Sequence, residues 1–468
     1  MADLTIRNLT AKPLFLIKVE RFETEREQTG SLLGNMTTAL TSMMNATEFQ
    51  SYRVIPKGQP IKKHDADIKV DAFASKKTDV RTADGEREVI RLTLRTEDDR
   101  RYQIDVPRPD AKAGSMKRIG QGHGDLELTG VYVERGAVLA VFSSGRLDSW
   151  MAKLHDKWPL QILSIPGTHN SPTCYTALPS VRCQSVGVPE QLRNGVRFLD
   201  IRVSVEPNGD QLTLVHSAFP ISLTGAKYLD PLLDDVYRFL DEHKDETVIV
   251  SLKREGTGKG TDEQMGTVLK KNHVDKHPNK WWVRPGVPNL GDARGRIVLV
   301  RRFGIGNDLK ACHDGRGFGI DAQAWPDNCE DGRCGPAIRV QDFYEVSETQ
   351  NVEKKIDFSR GQLERAAEQG YNIDGGSPAP SFFINFLTAS NFFNANCWPE
   401  RIAAKVNPAI VEYLCVKHGA EGQGPRKLKV GRASTGIVVT DWVGAHGDWD
   451  LVRSVVGMNA RLQRPRGQ

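Results

Sequence analysis

The feature that most limits what this 468-residue chain can fold into is a change of hydrophobic period near residue 150. Upstream, apolar residues alternate with polar ones: Ile68, Val70, Ala72 and Ala74, then Ile90, Leu92 and Leu94, then Tyr102, Ile104 and Val106. Val131 and Val133 lead through Glu134-Arg135-Gly136 into a second run, Val138 to Phe142. Successive side chains of a strand point to opposite faces, so a period of two describes half-buried strands, here joined as hairpins. The reading is a small all-β, sandwich-like domain over residues 1–143, with no role legible in it. One segment breaks the period. Leu32, Met36, Leu40, Met43 and Met44 recur at helical spacing, a stripe that suits a core or a partner-facing surface better than a membrane.

Downstream, short apolar runs alternate with amphipathic segments. Strands are expected at 160–165, 196–201, 212–215, 248–252, 297–300, 382–386 and 437–440. A helix is expected over 227–243, where Leu229, Leu232, Leu233, Val236, Phe239 and Leu240 share one face, and another over 399–414. Strand–helix alternation implies βαβ units and a mostly parallel sheet. Seven or eight strands over about 300 residues point to an α/β fold with a (β/α)8-type, TIM-like barrel, perfect or imperfect, over residues 146–468. The Gly- and Cys-rich stretch 304–335 reads as a long loop over one mouth of it.

Composition removes several classes. The formal net charge is only +5, and Lys and Arg are spread along the chain, which argues against a nucleic-acid partner. No apolar run approaches the roughly 18 residues of a membrane-spanning helix. The first ten residues show no charged region followed by an apolar run, so no signal peptide is read. A cytoplasmic or peripheral-membrane location is expected, with non-classical export left open. The seven cysteines include two close pairs, Cys174 with Cys183 and Cys329 with Cys334, that would allow short loop disulfides; reduced thiols are the plainer reading. There is no Cys-x-x-Cys pair, so a zinc site built on such pairs is not expected.

In a barrel of this kind reactive groups sit at the C-terminal ends of the strands. The ends here spell Thr168-His169-Asn170, Asp200-Ile201-Arg202, Val215-His216, Lys253-Arg254-Glu255, Arg301-Arg302 and Thr440-Asp441. A lone histidine is more often a surface or hydrogen-bonded residue than a catalyst, and His64, His123, His273 and His277 are read so. The joint occurrence at successive strand ends is harder to reach by accident. Two imidazoles can act as base and acid in one reaction near neutral pH. A guanidinium can stabilise charge building on a phosphate, and a carboxylate such as Asp441 can fix the tautomer of an imidazole. These parts fit cleavage of a phosphodiester by an internal hydroxyl.

The segments Ile165-Pro166-Gly167-Thr168-His169-Asn170-Ser171, Gly195-Val196-Arg197-Phe198-Leu199-Asp200-Ile201-Arg202, Val215-His216 and Ser251-Leu252-Lys253-Arg254-Glu255 resemble the X region of bacterial-type phosphatidylinositol-specific phospholipases C. Arg301-Arg302, Val340-Gln341-Asp342-Phe343-Tyr344, Phe383-Ile384-Asn385-Phe386 and Val438-Val439-Thr440-Asp441 continue the likeness, which covers about residues 146–455 and nothing upstream. The resemblance implies His169 as general base on the inositol 2-hydroxyl, His216 as general acid for the departing diacylglycerol, Arg202 at the phosphorus, and Asp441 orienting His169. It implies an inositol site lined by Lys253, Arg302, Asp342 and Tyr344, with Asp200 and Glu255 in the same polar network. Asn170 departs from the bacterial pattern, which has Asp there to assist the acid. Calcium-dependent relatives carry Asn at that place as a metal ligand, but two of their carboxylate positions are here filled by Arg202 and Lys253. Fixed cations there oppose a hard divalent ion, so no metal and no cofactor is expected. The implied partner is a phosphatidylinositol-type lipid at a peripheral membrane surface, with Phe392, Phe393 and Trp398 as contacts. Trp281 and Trp282 are read equally well as core. Two alternatives stay open: another phosphodiester head group, and a non-catalytic lipid-binding protein that keeps the barrel.

Overall fold

The computed structural model describes residues 2–28, 52–84, 87–107, 113–120, 126–144, 146–347, 349–422 and 429–463. The stripe Leu32, Met36, Leu40, Met43 and Met44, and His123, lie outside the described residues. The chain divides into two units, Met1–Ser143 and Ser144–Gln468.

The first unit holds two five-stranded sheets. One runs Ser75–Arg81, Asp3–Asn8, Val138–Phe142, Thr129–Val133, Ala113–Ser115; the other runs Tyr52–Val70, Leu14–Gln28, Glu88–Thr96, Arg101–Val106, Lys117–Ile119. Pairing is antiparallel except between Asp3–Asn8 and Val138–Phe142. The period-two pattern has a direct consequence here. Ile90, Leu92, Leu94, Tyr102 and Ile104 from one sheet and Leu4, Ile6, Leu139 and Val141 from the other are buried in one apolar cluster.

The second unit is mixed α/β, built on a curled sheet. Its strand order is Trp281–Trp282, Ile297–Arg302, Val248–Arg254, Phe198–Ser204, Ile165–Thr168, Ile437–Thr440, Phe382–Phe386, Ile338–Gln341, Gly332–Cys334. Every neighbouring pair along this path is parallel except the last. The central strands are buried on both faces, which is why they read as unbroken apolar runs rather than alternations. Leu229–Glu242 buries Leu229, Leu232, Leu233, Val236, Phe239 and Leu240 as its spacing requires. Pro399–Val416 opens with Pro399 at its first turn, where a missing N–H costs nothing.

Two strand expectations need correction, and one strand is added. The run 160–165 is not one strand: Leu160–Ile162 is a 3-10 turn, and pairing begins only at Ile165. A short, wholly buried apolar run carries no period by which to tell the two apart. The segment Thr213–His216 is not a parallel member of the sheet. It pairs antiparallel with Phe198–Ser204 and with Phe219–Pro220, as a hairpin arm beside the main path. Ile338–Gln341 is a strand that the sequence reading left out, having only two apolar residues. Trp281 is buried core and Trp282 is half-buried.

Candidate active site

His169 leaves the end of Ile165–Thr168, its N–H donating to the Thr440 carbonyl at 3.0 Å. Its Nδ1 lies 2.9 Å from Asp441 Oδ1. A carboxylate can only accept here, so Nδ1 carries the proton and Nε2 is left as the acceptor of the ring. Burial pushes the Asp441 carboxyl above its ordinary range, against the pull of the His169 ring. Gln184 Nε2 donates to the carbonyls of His169 at 2.7 Å and Thr440 at 3.0 Å, clamping the two strand ends together. Asn170 sits at φ 43°, and its N–H donates to Asp200 Oδ2 at 3.2 Å.

His216 ends the antiparallel arm, where Ser217 at φ 52° reverses the chain. Its ring stands 5.8 Å from that of His169 at an interplanar angle of 88°. Its Nδ1 lies 2.8 Å from the carbonyl of Val181, with Cys183 Sγ at 3.7 Å. The same tautomer logic leaves its Nε2 bare. Burial pushes this imidazole down to about 3, with the Arg202 guanidinium and the His169 ring adding to the effect.

The charged residues follow from strand register. Arg202, Lys253 and Arg302 are direct neighbours across three parallel strands. Three cations in one row would repel, and two carboxylates are interleaved with them. Asp200, fully buried, lies 3.2 Å from Arg202 and 3.3 Å from Arg302. Glu255 meets Arg202 at 3.2 Å and Lys253 at 2.6 Å, and accepts from Ser217 N–H at 3.0 Å. Burial raises both carboxyls. For Asp200 the guanidiniums of Arg202 and Arg302 outweigh it, and for Glu255 Arg202 and Lys253 do, so both end below the usual carboxylate range. Arg202 is held above its ordinary value: burial lowers it, but Glu255 and Asp200 outweigh that. Arg301, one residue before Arg302, turns the other way, toward Asp321 at 2.9 Å and the Phe318 carbonyl, and takes no part.

A second wall lies past Arg302. The Arg302 guanidinium stacks 3.8 Å over the Trp325 ring. Trp325 Nε1 donates to Asp342 Oδ2 at 2.9 Å, and the indole meets Phe386 edge-on at 5.9 Å. Phe386 in turn packs 6.1 Å from the His169 ring. Tyr344 stands at the rim, its hydroxyl donating to Asp327 at 2.7 Å. Sequence reasoning missed Trp325, Gln184 and Val181. Only Trp325 left any signal, as an aromatic residue inside the loop assigned to the barrel mouth. Of the three aromatic residues expected to meet the membrane, Phe393 is 94% exposed, and Phe392 is stacked on Phe219 at 5.6 Å and 7°. Trp398 is half-buried, its indole donating to the Phe392 carbonyl at 3.3 Å.

Two imidazoles set edge-on at 5.8 Å, beside a guanidinium fixed between carboxylates, form one polar site at the strand ends of a curled α/β sheet. Comparison makes this particular. Residues 157–303 match the family described as phosphatidylinositol-specific phospholipase C, X domain. The 1-phosphatidylinositol phosphodiesterase of Staphylococcus aureus strain Newman is 25% identical over 334 residues, which is 67% of this chain and 94% of that protein. Its Listeria monocytogenes counterpart is 27% identical over 220 residues, 44% of this chain and 64% of that one. A solved structure of the S. aureus phosphatidylinositol-specific phospholipase C, from work on its membrane binding, superposes with a TM-score of 0.51 at 23% identity, covering 67% of this chain and 97% of the other. Residues 157–303 of the second unit are therefore similar to the X domain of phosphatidylinositol-specific phospholipases C.

Proposed function

We propose that this chain is a phosphatidylinositol-specific phospholipase C that needs no metal ion. The observation that carries the reading is the pair His169 and His216, perpendicular at 5.8 Å and each with Nδ1 tied back. Both bare Nε2 atoms are then available to one substrate. His169 Nε2 takes the proton of the inositol 2-hydroxyl, the oxygen attacks phosphorus, and the bond from phosphorus to the glycerol oxygen breaks. His216 gives that oxygen a proton, releasing diacylglycerol and a cyclic inositol phosphate. Arg202, braced by Asp200 and Glu255, meets the charge on the phosphorane. A neutral His216 must first gain the proton it gives away. That proton comes from solvent, and the phosphodiester anion favours its uptake, because bound beside Arg202 it offsets the cation that helps keep the imidazole uncharged.

Lys253, Arg302, Asp342 and Tyr344 are assigned to the inositol ring, and Trp325 joins them as the floor under Arg302. Phe392 and Phe393, with Phe219, are assigned to the lipid surface. The curled sheet is read as an imperfect (β/α)8 barrel, open between its two edge strands, and the first unit as a β-sandwich domain. The test is cleavage of phosphatidylinositol vesicles with chelator present. Cyclic inositol phosphate that forms under chelation and is lost in both His169→Ala and His216→Ala supports the reading. Activity restored only by calcium overturns the assignment of Arg202 and Lys253.

A further inference from the structure

The loop after the first strand brings a thiol into the cleft that the proposed reaction does not use. Cys183 is fully buried, with Sγ 3.7 Å from His216 Nδ1 and 3.5 Å from the Val181 carbonyl. Cys183, His169 and His216 each offer one ligand atom, and all three atoms lie within 4.8 Å of one another. Among the described residues no other group of three His, Cys, Asp or Glu side chains converges in this way. We propose that these three residues form a site for a thiophilic divalent cation of the zinc type, and that the cation switches the enzyme off.

A tetrahedral zinc ion holds nitrogen at about 2.0–2.1 Å and sulfur at about 2.3 Å, which places its ligands roughly 3.3–3.7 Å apart. The Cys183–His216 pair already has that spacing, and closing the third ligand takes about 1 Å of side-chain movement. The outer shell is also in place. Metal-bound histidines usually give their second ring nitrogen to a carboxylate, and His169 does so with Asp441 at 2.9 Å. Loading the ion expels the Cys183 thiol proton to solvent and moves the His216 ring proton from Nδ1 to Nε2, away from Val181. A thiolate with two imidazoles selects zinc, cobalt or cadmium over calcium and magnesium, which prefer oxygen. The loss of activity follows from electron pairs. His169 loses its free Nε2 lone pair to the metal, and with it the capacity to act as base. This consequence rests on the proposed reaction; the binding does not.

The test is a cobalt(II) titration of the full chain, followed by absorption in the near ultraviolet, where a thiolate–cobalt bond gives a charge-transfer band. The expected result is a band that saturates at one equivalent, disappears on adding zinc, and is absent from Cys183→Ser and from His216→Asn, either of which decides the point if the other fails to fold. Zinc is expected to stop vesicle cleavage reversibly, chelator restoring it, and Cys183→Ser should need more than about tenfold more zinc relative to its own uninhibited rate. No band from folded wild type, a band that survives in a folded Cys183→Ser, or unchanged zinc sensitivity in that variant overturns the proposal. If wild type cleaves no inositol lipid, the proposed function falls while the cobalt spectrum still decides the site.

Discussion

The two sides of the cleft hold matching rings by unlike means. Around His169 the tether is a side-chain carboxylate, Asp441, buried and 2.9 Å away. Around His216 it is a backbone carbonyl, that of Val181, at 2.8 Å. Both fix a tautomer, but only the first brings charge. A carboxylate stabilises the imidazolium that forms when His169 takes a proton, while the Val181 carbonyl does little to offset the Arg202 cation that acts on the His216 ring. The asymmetry suits a resting site with a ready base and an uncharged acid that waits for an anion. Among the described residues the buried side-chain nitrogen and oxygen of Asn170 have no hydrogen-bond partner, so this side chain braces neither histidine.

The comparison breaks most sharply at Asp441. Asp441→Asn keeps the shape and removes the charge, so His169 loses both its tautomer and its counter-ion. The expected loss in kcat is roughly 10²–10⁴-fold, the range for one general acid–base group. No side-chain substitution can remove the Val181 tether in the same way. If Asp441→Asn costs less than about threefold, the charge at this side is not what distinguishes the two histidines.

The His216 side is read through stability. Its imidazole is pushed from 6.5 down to about 3 in the folded chain, so the unfolded chain binds the extra proton first as pH falls. The contribution of His216 is therefore complete above pH 6.5 and is lost as pH drops from 6.5 toward 3. At about 1.4 kcal/mol per unit the full span is of order 5 kcal/mol. His216→Asn retains a donor for Val181 and does not titrate. Denaturant unfolding between pH 3 and 6.5 should show wild type losing stability faster than this variant. Parallel curves would mean that the buried ring is not held neutral.

The same contrast explains what the sequence discloses. Thr168-His169 and Thr440-Asp441 are legible because each follows an apolar run that ends on polar residues, and parallel neighbours bring the two ends together. Arg202, Lys253 and Arg302 are legible for the same reason and fall in one register row. The antiparallel turn of Thr213–His216 is not, since four residues carry no sign of direction. The Val181 acceptor is not, because every residue has a carbonyl. Nor is Lys355, a charge on the helix Thr349–Ala367 that is wholly buried, where charged helix positions normally face water.

Lys355 extends the comparison from the histidines to the proposed inositol wall. Its Nζ donates to Gln341 Oε1 at 3.1 Å and to the Phe343 carbonyl at 2.7 Å, bracketing Asp342. Gln341 Nε2 donates onward to Asn385 at 2.8 Å and the Phe386 carbonyl at 2.8 Å. Burial pushes the amine down to about 7, against the pull of Asp342 and Asp441. Lys355→Met keeps the length and drops both donors. Both bonds hold the wall and not the ring, so if about 1 kcal/mol of their loss reaches Asp342 and the bound ring, affinity falls roughly fivefold. The expected result is a rise in KM of about fivefold with kcat nearly unchanged, the opposite split to Asp441→Asn. A fall in kcat instead would place Lys355 with the reacting groups.

The smallest effect is expected at the rim, where the proposed membrane contacts divide as the histidines do. Phe393 is 94% exposed, its ring meeting only Phe392, edge-on at 5.3 Å, among the described residues; Trp398 is half-buried and tied to the Phe392 carbonyl. Removing an exposed ring should leave folding within about 0.5 kcal/mol of wild type. Phe393→Ser should lower partition onto phosphatidylinositol vesicles by about tenfold, a little under the transfer free energy of one phenylalanine side chain, with cleavage of a soluble monomeric substrate unchanged. Trp398→Ala should instead lower melting temperature, because it opens the base of the loop that holds Phe392 against Phe219. If vesicle binding follows Trp398 and ignores Phe393, the loop matters for its shape, and the lipid surface must be met by another part of the chain.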